Sequence, residues 1–416
     1  MYEIITLPNG VRLAFEHMLG VRSAAVGIWV GVGSRFERHG EEGSAHFIEH
    51  MLFKGTRRST AAQLAARMDA IGGQINAFTS RETTCFYART LDSHLRDASG
   101  ILTEMFFESL FDESEVANER GVVLEEIDMY RDTPEDLVVE QLLSKCFPGP
   151  LGKPVLGSPS SLKNMTGESL RAFKLREYTP ERVLSSLCGS FAQEDVDYLI
   201  DRFSALEPMK ARKAKPTAYV PARVFKRKPT EQNHFCLLWP GLPEGSQERF
   251  AWQVMSMILG GGMSSRLFQK VREENGLCYS IGSFTSSFAE TGMFGVSTAV
   301  GRDTEEKALT LIRQELDRFC SDGITAEEMD RARELIKSSI ILSMESSSSR
   351  MNRLGSSILG FGHCLSADEI IDSYNAVTLD DVMSLARRTL TDDGQSFSAV
   401  GRLSDVDRYR ELVRQK

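Results

Sequence analysis

The residues best suited to chemistry lie in the segment His46-Phe47-Ile48-Glu49-His50. Two histidines four residues apart lie one turn apart on the same face of a helix, so both imidazoles can reach one metal ion without strain. Glu49 borders that face, where its carboxylate can act on a metal-bound water rather than bind the metal. The alternative is a surface helix on which these residue types meet by chance.

A second predicted helix, 113–131, offers carboxylates for such a site. A catalytic zinc ion takes three protein ligands and keeps its fourth position open, so two histidines need a partner from elsewhere. Glu119 and Glu126 are seven residues apart and therefore share one helix face. Val116 and Val123 lie close to that face, and a partly buried carboxylate needs a partner such as a metal ion. A solvated acidic face is the alternative.

The elements that must position these residues follow an α+β pattern. Hydrophobic periodicity and turn residues predict strands at 11–15, 25–30, 74–79, 83–89, 184–191, 234–239, 279–284 and 293–298. They predict helices at 46–53, 61–71, 92–110 and 113–131, one from Pro134, one ending at Gly260, and one at 305–320. The segments 115–120 and 328–333 resemble each other, which predicts duplicated domains.

Composition and charge restrict the class of protein. The chain has 416 residues, 41% of them hydrophobic and 26% charged, with a net charge of −9. An acidic balance argues against a nucleic-acid partner, and no apolar run approaches the roughly 18 residues of a membrane span. Without a basic-then-apolar leader, the expectation is a soluble, cytoplasmic protein with no membrane partner. The seven cysteines have no C-x-x-C spacing, and most of them are predicted to be reduced core residues.

A basic, proline-rich stretch, 207–229, separates the two halves of the sequence. We interpret 211–220 as a linker between an N-terminal domain, 1–210, and a C-terminal domain, 221–416. A nucleic-acid-binding surface is the alternative, but Tyr219 and Phe225 are the only aromatic residues there that could stack on bases.

Further motifs surround the predicted helix 46–53. Gly43-Ser44-Ala45 precedes it and Phe53-Lys54-Gly55-Thr56 follows it. The same set of motifs includes the segments 72–79, 178–180 and 260–267 and the interval between His50 and Glu126. On these residues the sequence resembles the pitrilysin/insulinase family of zinc peptidases. The similarity is to its short two-domain branch, which includes bacterial processing proteases and the mitochondrial processing peptidase β subunit.

The resemblance implies a metal site and a mechanism. His46, His50 and Glu126 would hold one Zn²⁺ per chain, and Glu49 would be the general base that activates the zinc-bound water. Glu119 would support catalysis by orienting a ligand histidine or by adding negative charge. The activity implied is that of an endopeptidase acting on peptides or on unfolded, presequence-like segments.

The resemblance also implies where a substrate binds. Asn76, Ala77 and Phe78 would form an edge strand that pairs with an extended peptide, and Arg272 and Tyr279 would contact the substrate backbone and the oxyanion. The alternatives are an ordinary edge strand, and a helix end followed by a strand tyrosine.

The second half departs from the catalytic pattern. Its only histidines are His234 and His363. The offset that relates 115–120 to 328–333 places Ser339 where the first half has Glu126. This half is therefore predicted to be a non-catalytic copy that serves architecture and substrate binding.

The resemblance implies two homologous domains, each a mixed β-sheet packed by helices, which together form half of a clamshell. Two such chains would complete the chamber, so a homodimer is expected, with a heterodimer as the alternative. Arg272 and Tyr279 would then act on the partner's zinc site. The competing functions are a non-catalytic or partner-dependent subunit of a heteromeric processing peptidase and, more remotely, a zinc hydrolase that does not cleave peptides.

Overall fold

The computed structural model describes residues 2–413, which form two compact units. The first contains the chain up to 127 together with 153–215 and 342–366, and the second contains 128–152, 216–341 and the chain from 367 on. The change of unit at Lys215 and Pro216 falls inside the predicted linker. Each unit also includes one segment from the other half of the sequence, which the predicted division into 1–210 and 221–416 did not contain.

Each unit is built on one mixed β-sheet. In the first unit the strands are β1 (Tyr2–Thr6), β2 (Arg12–His17), β3 (Ser23–Val30), β4 (Gln74–Thr79), β5 (Thr84–Leu91) and β6 (Val183–Gly189). In the second they are β7 (Arg223–Arg227), β8 (Asn233–Gly241), β9 (Cys278–Ser287), β10 (Gly292–Val300) and β11 (Ser396–Gly401).

The two sheets share one topology. The first has the order β1-β2-β6-β3-β5-β4 and the second the order β7-β11-β8-β10-β9. Apart from β1, each strand corresponds to the strand five places later in the chain. The β2–β6 and β7–β11 pairs are parallel, and every other pair is antiparallel. The predicted α+β fold of two homologous halves is confirmed.

Helices occupy most of the remaining chain. They are α1 (Ser44–Leu52), α2 (Ala61–Ala70), α3 (Leu95–Glu108), α4 (Glu113–Asp132), α5 (Pro134–Cys146), α6 (Pro159–Leu162), α7 (Gly167–Glu177), α8 (Gln193–Ser204), α9 (Arg249–Gly260), α10 (Glu305–Asp322), α11 (Ala326–Ser343), α12 (Ser347–Phe361), α13 (Ala367–Ala376), α14 (Leu379–Thr389) and α15 (Val406–Leu412). The starts of α4 and α11 are separated by the same interval as the repeated segments 115–120 and 328–333.

The predicted elements agree with the observed ones except at their ends. The predicted helix 92–110 begins only at Leu95, because residues 92–94 form a 3₁₀ turn. Strand β9 continues to Ser287, three residues past its predicted end. Among the described residues, no helix is both long and apolar enough to cross a bilayer. All seven cysteines are free, and five of them are buried.

A single helix covers the second face of each sheet. In the first unit Met351, Leu354 and Ile358 of α12 are buried in a cluster with Trp29 and Leu184. In the second unit Val138 and Leu142 of α5 are buried against β8 and β11. The segments exchanged between the sequence halves are therefore the ones that remove an apolar sheet face from water.

Candidate metal centre

Helix α1 carries three of the predicted site residues, and its start is held by a buried carboxyl group. Gly43 precedes the helix with a φ of 94°, and a Cβ at this position would lie 2.8 Å from the Leu156 carbonyl oxygen. The amides of Gly43 and Ala45 each donate a hydrogen bond of 2.9 Å to an oxygen of the Glu37 carboxyl group. These amides belong to the first turn, whose N–H groups have no partner within a helix, so Glu37 fixes where α1 begins.

The structure brings His46, His50 and Glu126 together in the first unit. One ligand atom from each lies within 4.8 Å of the other two. The Nε2 atoms of His46 and His50 are 3.6 and 3.8 Å from Glu126 Oε2. The residues come from α1 and α4, which are separated along the chain by α2, β4, β5 and α3. The three ligand atoms are therefore brought together only by the tertiary structure.

This geometry suits zinc. Two ligand atoms about 2.1 Å from one zinc ion at a tetrahedral angle are about 3.4 Å apart, close to the two separations above. Burial, followed by the charge of His50, lowers the pKa of His46 to about 3, so this imidazole is neutral near pH 7. A neutral imidazole has the free lone pair that a metal ligand needs.

Glu49 lies beside this group in a buried position. Burial is the main cause that raises the pKa of its carboxyl group, a hydrogen bond with the Thr79 side chain and the charge of His50 lower it, and Glu126 raises it. Its Oε2 is buried without a hydrogen-bond partner in the described part of the chain. Burying a carboxylate oxygen without a partner costs free energy. Such an oxygen is free to accept a proton, as a general base must.

Glu119 contacts His50 from the side opposite to Glu126. Its Oε1 is 2.7 Å from His50 Nδ1, so the His50 proton sits on Nδ1 and Nε2 is left free. Its Oε2 is 2.6 Å from Lys54 Nζ. His46 has no such support, because its Nδ1 is buried without a partner among the residues described.

Comparison with known proteins shows the family of this chain. A family model described as Insulinase (Peptidase family M16) matches residues 12–159, and one described as Peptidase M16 inactive domain matches residues 164–336. An uncharacterized zinc protease of Bacillus subtilis is 41% identical over 94% of this chain and 97% of its own length. One of Streptomyces coelicolor is 39% identical over 97% and 90%. The chain belongs to peptidase family M16.

Solved structures show the same fold. A protein described as a peptidase M16 inactive domain from Pseudomonas fluorescens superposes with a TM-score of 0.90, covering 100% of this chain and 99% of its own, at 19% identity. A protease from Helicobacter pylori gives a TM-score of 0.87, covering 96% and 99%, at 20% identity.

In this M16 chain the predicted peptide-binding residues lie on β4, an edge strand of the first sheet. Asn76 and Phe78 are exposed and Ala77 is half-buried. The Asn76 Oδ1 atom accepts the Ala77 amide at 2.8 Å. Thr79 ends the strand and reaches Glu49 with its side chain, so the edge strand leads directly to the candidate metal centre. The role of β4 in substrate binding stays a prediction.

The other predicted substrate residues, Arg272 and Tyr279, belong to the second unit. The Arg272 guanidinium lies 5.1 Å from the centre of the Tyr279 ring, so the structure brings this pair together. Tyr279 is 80% exposed and stands on β9, the strand that corresponds to β4 in the second sheet. Arg272 lies on a π-helical turn, Phe268–Glu273, a rare form that often occurs at functional sites.

Among residues 2–413, the one group of side chains that could hold a metal ion is His46, His50 and Glu126, and all three lie in the first half of the M16 chain. The described part of the second half has no group of this kind. By the repeat offset, α11 carries exposed Ser339 in place of Glu126 and buried Ala332 in place of Glu119. Of these two corresponding helices, only α4 carries a buried carboxylate at this position, and that carboxylate contacts His50 of α1.

The sequence did not indicate a role for three residues near the candidate centre. Glu37, Lys54 and Thr79 lie close to the ligands in sequence or join the ends of neighbouring elements. Lys54 and Thr79 stand within motifs that resemble the M16 family, but their contacts with Glu119 and Glu49 depend on tertiary packing.

Proposed function

We propose that this chain is a zinc-dependent endopeptidase that hydrolyses peptides or unfolded, presequence-like segments. The observation that carries the proposal is the convergence of His46, His50 and Glu126 beside the unpaired, buried oxygen of Glu49. The names of its relatives support zinc and proteolysis. The remaining steps rest on the chemistry of these side chains.

His46, His50 and Glu126 would hold one Zn²⁺, which lowers the pKa of a water molecule and polarises a peptide carbonyl when bound. Glu49 then accepts a proton from the attacking water and delivers it to the leaving amine, so that the carboxylate is regenerated. Burial favours the first transfer, because a carboxyl group with a raised pKa is a stronger base. Glu119 keeps His50 in the tautomer that binds through Nε2.

The substrate would bind in extended form along β4. An exposed edge strand offers main-chain hydrogen bonds that tolerate many side-chain sequences, which suits unfolded segments. We further propose that two chains form a homodimer and that Arg272 and Tyr279 act on the partner's metal centre. In a mixture of Glu49→Gln and Arg272→Ala protomers, activity above that of either parent is expected. A mixture no more active than its parents contradicts action between protomers.

The competing function is a non-catalytic or partner-dependent subunit. The description of the model matching residues 164–336 as an inactive domain supports a non-catalytic role for the second half alone. The first half retains His46, Glu49, His50 and Glu126, the full set that hydrolysis needs. A subunit that had lost hydrolysis would have no need of this set.

The decisive experiment is digestion of an unstructured peptide by the purified protein. Cleavage is expected to stop with a chelator, to return with zinc, and to be lost in Glu49→Gln while zinc remains bound. Glu125→Gln is the matched control, because Glu125 is an exposed glutamate next to Glu126. Chelator-resistant cleavage, or an active Glu49→Gln variant, refutes the mechanism. A wild-type protein that binds zinc and cleaves only with a second subunit added supports the partner-dependent alternative.

A further inference from the structure

We propose that Lys54 is a positioning residue for the metal ligand His50 and acts through Glu119. The proposal rests on the proposed zinc site. Three side chains form a continuous chain of contacts: Lys54 Nζ is 2.6 Å from Glu119 Oε2, and Glu119 Oε1 is 2.7 Å from His50 Nδ1. Each carboxylate oxygen of Glu119 therefore has one partner, and Lys54 holds the oxygen that His50 does not use.

Burial makes the second partner necessary. Glu119 is 4% exposed, on the apolar face of α4 with Val116 and Val123. A buried carboxylate is tolerated when both its charge and its lone pairs are satisfied. Among residues 2–413, Lys54 is the only lysine or arginine in an ion pair with Glu119. Without that ammonium group, one Glu119 oxygen would be left without a partner and the carboxylate could turn away from His50.

The backbone conformation after α1 determines the position of Lys54. Helix α1 ends at Leu52, and the Lys54 amide donates to the Met51 carbonyl at 3.1 Å in the turn that follows. Gly55 then leaves the turn with a φ of 115°. Lys54 thus stands four residues after His50, just past the end of α1, and its contact with Glu119 joins this end of α1 to α4.

The repeat gives an independent indication. The position that corresponds to Glu119 in the second half is Ala332, which is equally buried but apolar. Where no metal group is present, the repeat has no buried carboxylate at this position and needs no lysine to hold it. A buried, doubly held glutamate in the first half is therefore explained by the histidine that it supports.

The test compares zinc affinity among variants of the full-length protein, measured by competition with a chromophoric chelator. Lys54→Met keeps the length of the side chain and removes the charge, and Lys54→Arg restores a cation. Lys54→Met should bind zinc more weakly, by no more than the roughly 10-fold to 100-fold that follows the loss of a residue in direct contact with a ligand, because Lys54 acts through Glu119. Lys54→Arg should recover most of the loss. With saturating zinc, kcat should fall in Lys54→Met while KM changes less than about twofold, because supporting residues act on the ligand and not on the peptide.

Lys153→Met is the matched control. Lys153 pairs with Glu42 at 2.5 Å and is 29% exposed at its side chain, against 2.6 Å and 31% for Lys54. It lies in the same compact unit and contacts none of the proposed ligands. Its removal should leave zinc affinity unchanged. If Lys54→Met lacks the circular dichroism spectrum of the wild type, Lys54→Gln takes its place in the comparison.

Three results overturn the proposal: wild-type affinity in the Lys54 variant, an equal loss in Lys153→Met, or no recovery in Lys54→Arg. Zinc affinity is measured without any substrate. A wild-type protein that binds zinc but cleaves nothing therefore refutes the peptidase function and leaves the Lys54 comparison intact. A wild-type protein that binds no zinc refutes both.

Discussion

The Glu37 carboxyl group, which holds the start of α1, should make the stability of the protein depend on pH. Glu37 is 3% exposed, and its oxygens accept the amides of Gly43 and Ala45. Burial raises its pKa to about 8, which outweighs the lowering by these two hydrogen bonds, while Glu42 raises the pKa and Lys153 lowers it. The folded protein therefore keeps a proton that the unfolded chain, with an ordinary pKa of 4.5, has already lost.

The sign and size of the effect follow from this difference. Because the folded pKa is raised, the contribution of Glu37 to stability is fully present below about pH 4.5 and is lost as the pH rises through 8. The loss is about 1.4 kcal/mol per pH unit, or about 5 kcal/mol over the whole window. Glu37→Gln removes this slope. The amide also leaves one buried N–H group without an acceptor, at a cost of about 1–3 kcal/mol at every pH.

The assay is equilibrium unfolding in urea at pH 5, 6, 7, 8 and 9 for the wild type and Glu37→Gln. The free energy of unfolding of the wild type, relative to the variant, should fall by about 4 kcal/mol between pH 5 and 8. Glu125→Gln, at an exposed position, should follow the wild type throughout. Parallel curves for wild type and Glu37→Gln refute the argument. A wild type that gains on the variant as pH rises shows that the two backbone hydrogen bonds outweigh burial.

The remaining predictions concern the ligands, the sheet and the second half. Glu126→Gln should weaken zinc binding at least about 100-fold in a chelator competition, because it removes a ligand and not merely its support; an effect below about tenfold excludes Glu126 from the ligand set. Ile358→Ala should cost about 2–5 kcal/mol in urea unfolding because α12 buries this side chain on the first sheet, whereas Leu335→Ala at an exposed position should cost much less. His363→Ala should leave the zinc content at one ion per chain by elemental analysis, and a lower content contradicts the non-catalytic assignment of the second half.

Local pattern was sufficient to predict most elements near the centre. The spacing of His46, Glu49 and His50 is meaningful only on a helix, and α1 provides that helix. The periodicity of 113–131 predicted α4 and the shared face of Glu119 and Glu126. These signals are local, since helix periodicity depends on residues three and four positions apart. In the last part of the chain the pattern was not sufficient, and β11 and α12 to α15 were not anticipated.

The contacts made by supporting residues could not be predicted in the same way. Lys54 and Glu119 lie far apart along the chain, and nothing in their spacing indicates an ion pair. The hydrogen bond between Thr79 and Glu49 likewise joins the end of a strand to a helix. Such contacts depend on how elements pack, and packing is decided by many apolar side chains at once.

The sequence by itself indicated the candidate metal-binding residues and the duplication of this protein, because residue types, their helical spacing and the repeat of 115–120 at 328–333 can be recognised along the chain. Tertiary structure alone decided which segments make up each unit. Helices α5 and α12 are similar in amphipathic character to other helices of the chain, and nothing local assigns them to a sheet. Each sheet has a second apolar face that must be removed from water. Burial of Trp29 and Leu184 provides the free energy that places α12 in the first unit. Burial of the side chains of β8 and β11 does the same for α5 in the second unit.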